Sequence, residues 1–334
     1  DLFIGGRVVP GKYPATPRSF LYQNRGGTFV DVTDQLAPGL RQAGMVTSAS
    51  FADVDADNRP DLVLTLEWGP VVLWRNTGRG FEDVTAAAGL SGRTGWWSAL
   101  ATADVDGDGR LDLVAGNVGL NTKYRAAPDA PAVLFAGAFD DSGREHLVEA
   151  HAVDGRLMPV RGRSKLAYAF PWLPRKFATY AAFAEASVEE IFGAERLAGV
   201  RRLEATELAS GVFLNRAANG GGVRFEFKPL PRFAQLAPIN AIIAQDVTGD
   251  GVLDLVCVGN HFGPEPSTGR FDGSLGTVLR GLGGGEFVAV PPVESGLLVP
   301  GDARAAALVP LEGGKRLAVA VARCDGPVLL FTTR

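Results

Sequence analysis

One recurring string limits what this chain can fold into: an apolar run, a nine-residue acidic loop, and a second apolar run. It reads SASFADVDADNRPDLVLTL from Ser48, SALATADVDGDGRLDLVAG from Ser98 and NAIIAQDVTGDGVLDLVCVG from Asn240. A worn copy, LFAGAFDDSGREHLVEA, begins at Leu134. A second element, a hairpin with a glycine turn, alternates with the first. It reads LYQNRGGTFVDVT from Leu21, LWRNTGRGFEDVT from Leu73, FLNRAANGGGVRFEFKPL from Phe213 and VLRGLGGGEFVAVP from Val278. Asp53 and Asp104 lie 51 residues apart, and Asn24 and Asn76 lie 52 apart. Each unit thus supplies two short strands and then two more, which is the blade pattern of a β-propeller. A solenoid would give one strand per coil instead of closing each unit on its own hairpins.

Units begin near Asp1, Met45, Trp96, Pro131, Pro238 and Asp302; the first lacks its innermost strand and the last ends after about three strands. The expected fold is all-β: a single propeller domain over residues 1–334, with six or seven four-stranded blades, as a fragment of a longer chain. The 43 glycines and 21 prolines suit the many tight turns this requires. One stretch departs from the pattern. Between Pro171 and Val200 the apolar period changes from two to about 3.6. Phe177, Tyr180 and Phe183 mark one helical face, and Ser187 to Glu190 reads as a capping box. A helical insert of about 171–200, packed on the outer wall, is expected, with docking of another domain as its alternative use.

The acidic loops carry the chemistry. Asp53, Asp55, Asp57 and Asp61 occupy positions one, three, five and nine, and Asp104, Asp106, Asp108 and Asp112 repeat the spacing. Carboxylates so close repel unless a cation sits among them. Hard oxygen donors on a flexible loop favour Ca²⁺ over Mg²⁺. Backbone carbonyls of Arg59, Arg110 and Val252 are the candidates for position seven. Position six needs a sharp turn, which Gly109 and Gly251 suit, with Asn58 next best. The third loop, Asp246, Thr248, Asp250 and Asp254, trades one carboxylate for a hydroxyl and should bind more weakly. Two or three Ca²⁺ ions are expected. The worn copy has Ala138, Asp140, Ser142 and His146 at these positions, and no calcium is expected there. An EF-hand reading fails because position twelve holds Leu64, Ala115 and Cys257, and because strands flank the loops. Asp1-Leu2-Phe3 matches Asp61-Leu62-Val63, so Asp1 is expected to be the ninth residue of a further loop.

These loops resemble FG-GAP/VCBS repeats, the blades of integrin-α-like propellers. DLFIGGRVVPGKYP, GNVGLNTKY, the helical insert and GNHFGPEPSTGRFD extend the likeness to secreted bacterial proteins that often also carry an ASPIC/UnbV module. No such module is visible in these residues. The resemblance implies a calcium-stabilised propeller, secreted or in the cell envelope of a bacterium, in binding or adhesion roles. It also implies that loops joining strands two and three form an upper, ligand-meeting face. Those loops are Gly5–Pro14, Glu67–Pro70, Asn117–Arg125 and Asn260–Gly273. They present Tyr13, Trp68, Asn121, Tyr124, His261, Glu265, Arg270 and Asp272 as candidate contacts for a protein or glycan. The blander role for Trp68, Trp96 and Trp97 is filling gaps between blades.

Composition closes off several classes. A net charge of −4 argues against a nucleic-acid partner. No apolar run of about 18 residues is present to span a membrane. Cys257 and Cys324 have no metal-site spacing, and their pairing cannot be read from sequence. No H-E-x-x-H, G-x-S-x-G or phosphate-loop motif occurs, so a non-enzymatic binding scaffold is expected. A polysaccharide lyase or glycosidase using His261, and a structural subunit of an envelope assembly, are the alternatives.

Overall fold

The computed structural model describes residues 1–217, 222–266, 268–311, 313, 316–324 and 326–332. The turn of the Phe213 hairpin, residues 218–221, and Ser267 lie outside them. The chain forms two compact units, Asp1–Thr122 with Leu208–Arg334, and Lys123–Glu207.

The larger unit holds five antiparallel sheets among its described residues. The first pairs Leu2–Ile4, Phe20–Arg25 and Thr28–Asp31. The second runs Met45–Ala52, Asp61–Gly69, Val71–Asn76 and Phe81–Asp83, with Gly95–Trp96 pairing onto its second strand. The third contains Ala99–Ala103, Asp112–Gly116, Gly211–Ala217 and Val223–Pro229. The fourth contains Ile239–Gln245, Asp254–Gly259, Thr277–Gly283 and Glu286–Val290, and the fifth Ala303–Leu311, Arg316–Arg323 and Leu329–Thr332.

Period two explains how these sheets pack. Side chains alternate across a strand, and here both faces are buried, so the second strands read as unbroken apolar runs. In Asp61–Gly69, Leu62 and Leu64 join a core with Leu21 of the first sheet and Val32 just after it. Val63, between them, joins Leu113 and Phe213 of the third, together with Trp97 just before that sheet. Val114 then points the other way, to Leu255 and Cys257 of the fourth sheet. Val256 and Val258 face Val319 and Val321 of the fifth. The second, third and fourth sheets therefore each share one core with the sheet before and another with the sheet after. Opening strands of neighbouring sheets touch: Met45–Ala52 meets Ala99–Ala103, which meets Ile239–Gln245, which meets Ala303–Leu311.

The unit that starts near Pro131 is not the fourth member of this series. Its sheet, Ala132–Ala138, Glu145–Val153, Arg156–Pro159 and Arg201–Ala205, belongs to the smaller compact unit. The Phe213 hairpin, which the repeat spacing assigns to it, instead completes the third sheet through the register Leu113↔Phe213 and Val114↔Val212. The smaller unit is thus an insertion between the second and third strands of the third sheet. Its helices run from Arg163 to Ala198, in five short pieces, a wider span than the expected 171–200. They cover their own sheet: Phe170, Leu173, Phe183, Ile191 and Phe192 bury against Val133, Phe135 and Val148. The Ser187 capping box forms as the sequence predicts, with Ser187 Oγ accepting from Glu190 N–H and Glu190 accepting from Ser187 N–H.

Where the insertion leaves and rejoins the larger unit, a buried polar latch holds the chain. Asn117 N–H donates to Ser210 Oγ at 2.9 Å, and Gly119 N–H to the Leu208 carbonyl at 2.9 Å. Gln235 closes the latch by accepting from Ser210 N–H and donating to the Ser210 carbonyl.

Candidate functional site

Three acidic loops sit between the first and second strands of the second, third and fourth sheets, and each is built by closely similar hydrogen bonds. The first-position aspartate closes the turn. Asp53 accepts from the N–H groups of Asp57 and Asn58, Asp104 from Gly107, Asp108 and Gly109, and Asp246 from Gly249 and Gly251. The turn bends as expected at position six, with φ of 64° at Asn58 and 85° at both Gly109 and Gly251. Position four bends too, with φ of 59° at Ala56, 79° at Gly107 and 80° at Gly249. At position four only Ala56 carries a Cβ through the left-handed region, which is unfavourable for an L-residue without a short polar side chain.

The ninth-position aspartates are fully buried: Asp61, Asp112 and Asp254 are each 0% exposed. Asp61 Oδ2 accepts from Val54 N–H at 3.1 Å and Oδ1 from Asn76 N–H at 2.7 Å. Asp112 repeats this with Val105 at 3.0 Å and Asn215 at 2.7 Å. Asp254 does so with Val247 and Gly281, both at 2.9 Å. Each therefore ties its loop to the next strand but one, a backbone role that ligand spacing alone does not reveal. Asp1 Oδ1 accepts from Asn24 N–H at 3.0 Å, the same bond one sheet earlier. Burial pushes the carboxyls of Asp61 and Asp112 up to about 6, against the lowering effect of those N–H donors.

Two of the loops gather carboxylates. Asp53, Asp55 and Asp61 bring oxygens within 4.8 Å of one another, and so do Asp104, Asp106 and Asp108. A cavity of about 180 Å³ adjoins Asp55 and Asp61. Hard anionic oxygens this close, on a loop whose backbone is already pinned, fit a divalent cation such as Ca²⁺. Asp57 and Asp112 stand outside those trios. Asp57 is held by the Arg59 guanidinium, and Asp108 is likewise met by Arg110. Arg59 and Arg110, expected to offer carbonyls, use their side chains to bridge loop to hairpin: Nε donates to the Asn76 and Asn215 carbonyls at 3.0 Å. In the third loop Asp250 accepts from Val252 N–H, and Thr248 is exposed. In the worn copy, Asp140 is occupied by Ser142 N–H and Trp172 Nε1.

The candidate ligand residues divide. Tyr13 and Trp68 lie in a cluster of the larger unit, and His261 lies elsewhere in its sequence, bridged to Phe271. Tyr13 donates its hydroxyl to Glu67 at 2.8 Å and accepts from Trp68 Nε1 at 2.7 Å. Trp68 meets Trp96 edge to face at 4.9 Å, and Arg7 pairs with Glu67. Burial and the Arg304 guanidinium hold His261 below the ordinary imidazole range. Asn121 donates to the Leu236 carbonyl, and Arg270 lies 4.8 Å over the Phe262 ring. Glu265 and Asp272 are exposed on the same loop. Tyr124 is a correction: it is 6% exposed, lies in the smaller unit and donates to Glu149 at 2.9 Å, so it is packed rather than presented. Trp97 is fully buried against Phe213 and Phe227, the gap-filling role. Sequence reasoning misses Arg7, Glu67, Asp302 and Arg304. Their positions after second strands, or at the start of the fifth sheet, were the available signal.

Cys257 is buried and Cys324 exposed, and both are free thiols. Burial pushes the Cys257 thiol up to about 12, so it is an inert core group. Among the described residues, no helix is long and apolar enough to cross a membrane.

Residues 53–115, which span the first two acidic loops, match the family model of the FG-GAP-like repeat. No curated protein matches the chain.

Proposed function

We propose that this chain is a calcium-stabilised, propeller-like binding scaffold that works outside the cytoplasm. The observation that carries the reading is repetition: three loops at one point of three sheets share the same backbone bonds, and two of them converge three carboxylates. A turn that only needed closing would not need three like charges drawn together at two equivalent points. The propeller reading rests on three middle sheets that each share cores with two neighbours, and on opening strands that touch. The FG-GAP-like repeat supports the extracellular setting, where calcium is abundant enough for loops of modest affinity.

In this reading Asp53, Asp55 and Asp61, and Asp104, Asp106 and Asp108, would hold one ion each, and the third loop a weaker one. The ion would neutralise carboxylates that otherwise repel. Its role is structural, and recognition of a protein or glycan falls to the loops between second and third strands. The test is thermal unfolding in calcium and in excess EGTA, with elemental analysis of the dialysed protein. Identical melting curves and no bound calcium would sink it.

A further inference from the structure

We infer that Asn215 couples the first acidic loop to the second, so that a cation bound at either strengthens binding at the other. The inference deepens the calcium reading and rests on it for the ligand. The bridge itself is made of hydrogen bonds that need no metal.

Asn215 is fully buried in Gly211–Ala217, the third strand of the third sheet. Its backbone N–H holds the ninth aspartate of its own loop, Asp112 Oδ1, at 2.7 Å. Its side chain reaches two loops at once. Nδ2 donates to the carbonyl of Leu111, beside Asp112 in the second loop, at 3.1 Å. It also donates to the carbonyl of Val54, in the first loop, at 2.8 Å. Val54 stands between Asp53 and Asp55, two of the carboxylates that the first loop gathers, and its N–H donates to Asp61 at 3.1 Å. Fixing those carboxylates fixes the carbonyl that Asn215 meets. A continuous chain of contacts thus leads from Asp61 through Val54 and Asn215 to Asp112.

The amide cannot face the other way, because its oxygen would then meet two carbonyl oxygens, and an oxygen donates nothing. As it stands, Asn215 Oδ1 is buried with no hydrogen-bond partner. A buried acceptor left without a donor is rare, and an apolar side chain of like size would avoid it. The asparagine is explained by what its two donors hold.

The same position in neighbouring sheets supplies a comparison. Two residues after the pairings Leu62↔Trp74, Leu113↔Phe213 and Leu255↔Leu279 stand Asn76, Asn215 and Gly281. Asn76 keeps its side-chain bond within its own loop, Nδ2 donating to the Pro60 carbonyl at 3.1 Å. Gly281 gives Asp254 its N–H at 2.9 Å but has no side chain to reach back to the second loop. A Cβ there would come within 2.2 Å of the Leu253 carbonyl oxygen. Gly284 N–H does meet the Asp106 carbonyl at 3.3 Å, but Gly284 lies on a hairpin turn and not on the third loop. Coupling therefore joins the first loop to the second and leaves the third independent.

The test compares the full chain with Asp53→Ala, which removes a carboxylate and the turn-closing acceptor of the first loop, each with and without Asn215→Leu. Calorimetry reads calcium affinity at the second and third loops, each assigned by its loss in Asp104→Ala or Asp246→Ala. Mass spectrometry reads hydrogen exchange of residues 104–112 and 246–254 in EGTA. With Asn215 in place, Asp53→Ala should weaken calcium at the second loop about fivefold. It should also speed exchange in residues 104–112 and leave 246–254 unmoved. With Asn215→Leu, the second loop should no longer respond to Asp53→Ala. A side chain that only stabilises the fold would lower the melting temperature and leave that response intact. Asn215→Ser, with one O–H donor for two carbonyls, serves if the leucine variant does not fold. Asn76→Ser is the control and should leave the response unchanged. A response that survives Asn215→Leu or Asn215→Ser, or a third loop that moves as far as the second, overturns the coupling. Calcium bound at the loops with no response to Asp53→Ala in either measurement also overturns it and leaves the calcium reading standing. Exchange that responds through Asn215 in a protein that binds no calcium overturns that reading and leaves the bridge standing.

Discussion

The first and second acidic loops have nearly the same residues and the same internal hydrogen bonds, yet their surroundings differ. By composition the second is the better site, with glycine at both left-handed positions where the first has Ala56 and Asn58. Its neighbouring strand changes the balance. Arg216 reaches from Gly211–Ala217 to place its guanidinium 2.6 Å from Asp106 Oδ2 and 3.8 Å from Asp108. The equivalent residue beside the first loop is Thr77, one after Asn76 as Arg216 is one after Asn215. Burial and the nearby Asp57 raise the Asp55 carboxyl in the first loop. The first loop therefore pays in backbone strain and keeps its carboxylates hungry for a cation, whereas the second is relaxed and already partly neutralised. Ligand spacing sets which residues can bind, and the next strand sets how strongly.

The largest effect should be one the two loops share. Asp61→Ala and Asp112→Ala each strip the acceptor from two backbone N–H groups, and should cost about 4 kcal/mol of unfolding free energy in urea titrations. A loss below about 1 kcal/mol in either would mean that the ninth aspartate does not anchor its sheet. Next comes the cation. Calcium at a hundred times its dissociation constant should add about 2.7 kcal/mol for each site filled. Asp55→Asn should remove more of this gain than Asp106→Asn, because Asp106 is ion-paired directly with Arg216, whereas Arg75 acts on Asp55 only from a distance. Equal losses would erase the contrast between the loops.

Arg216→Thr isolates the contrast directly, since it gives the second loop the residue found beside the first. It should tighten calcium at that loop roughly fivefold, or about 1 kcal/mol; the arginine is partly exposed, and solvent screens its hold. Calorimetry on this variant in an Asp53→Ala background reads the second loop without the first. The smallest effect belongs to the turn. Ala56→Gly relieves a left-handed Cβ and should stabilise the metal-free protein by about 0.5 kcal/mol, net of the added freedom of the unfolded chain. A destabilised variant would show that Ala56 bears no strain.

The strands and loops were legible because their signals are local. Val63 between Leu62 and Leu64 states that both faces are buried, and a first-position aspartate four and five residues before its N–H donors states a turn. The insertion was not legible, because LFAGAFDDSGREHLVEA forms the strand–loop–strand that a true repeat would form. What excludes it from the series is the pairing of Leu113 with Phe213, and no local pattern encodes that. The backbone role of the ninth aspartates was not legible, because spacing shows which carboxylates recur and not which backbone groups they meet. Glu67, Asp302 and Arg216 were missed for a related reason: each acts across sheets. Aligning Asn76-Thr77 with Asn215-Arg216 would have exposed the last of these.

The latch at Asn117 and Ser210 bears on how the chain folds. Leu113 and Phe213 must find each other across a hundred residues, and long-range pairing of that kind slows folding. The smaller unit has its own core, and the larger unit's chain on either side of it is held within hydrogen-bonding distance at Gly119 and Leu208. If it folds first, it turns a long floppy tether into a short clip, and the remaining closure cost depends little on how many residues the clip contains. Residues 123–207 then become nearly free cargo for the third sheet. Their exchange for a short turn should leave the refolding rate of the larger unit close to its original value.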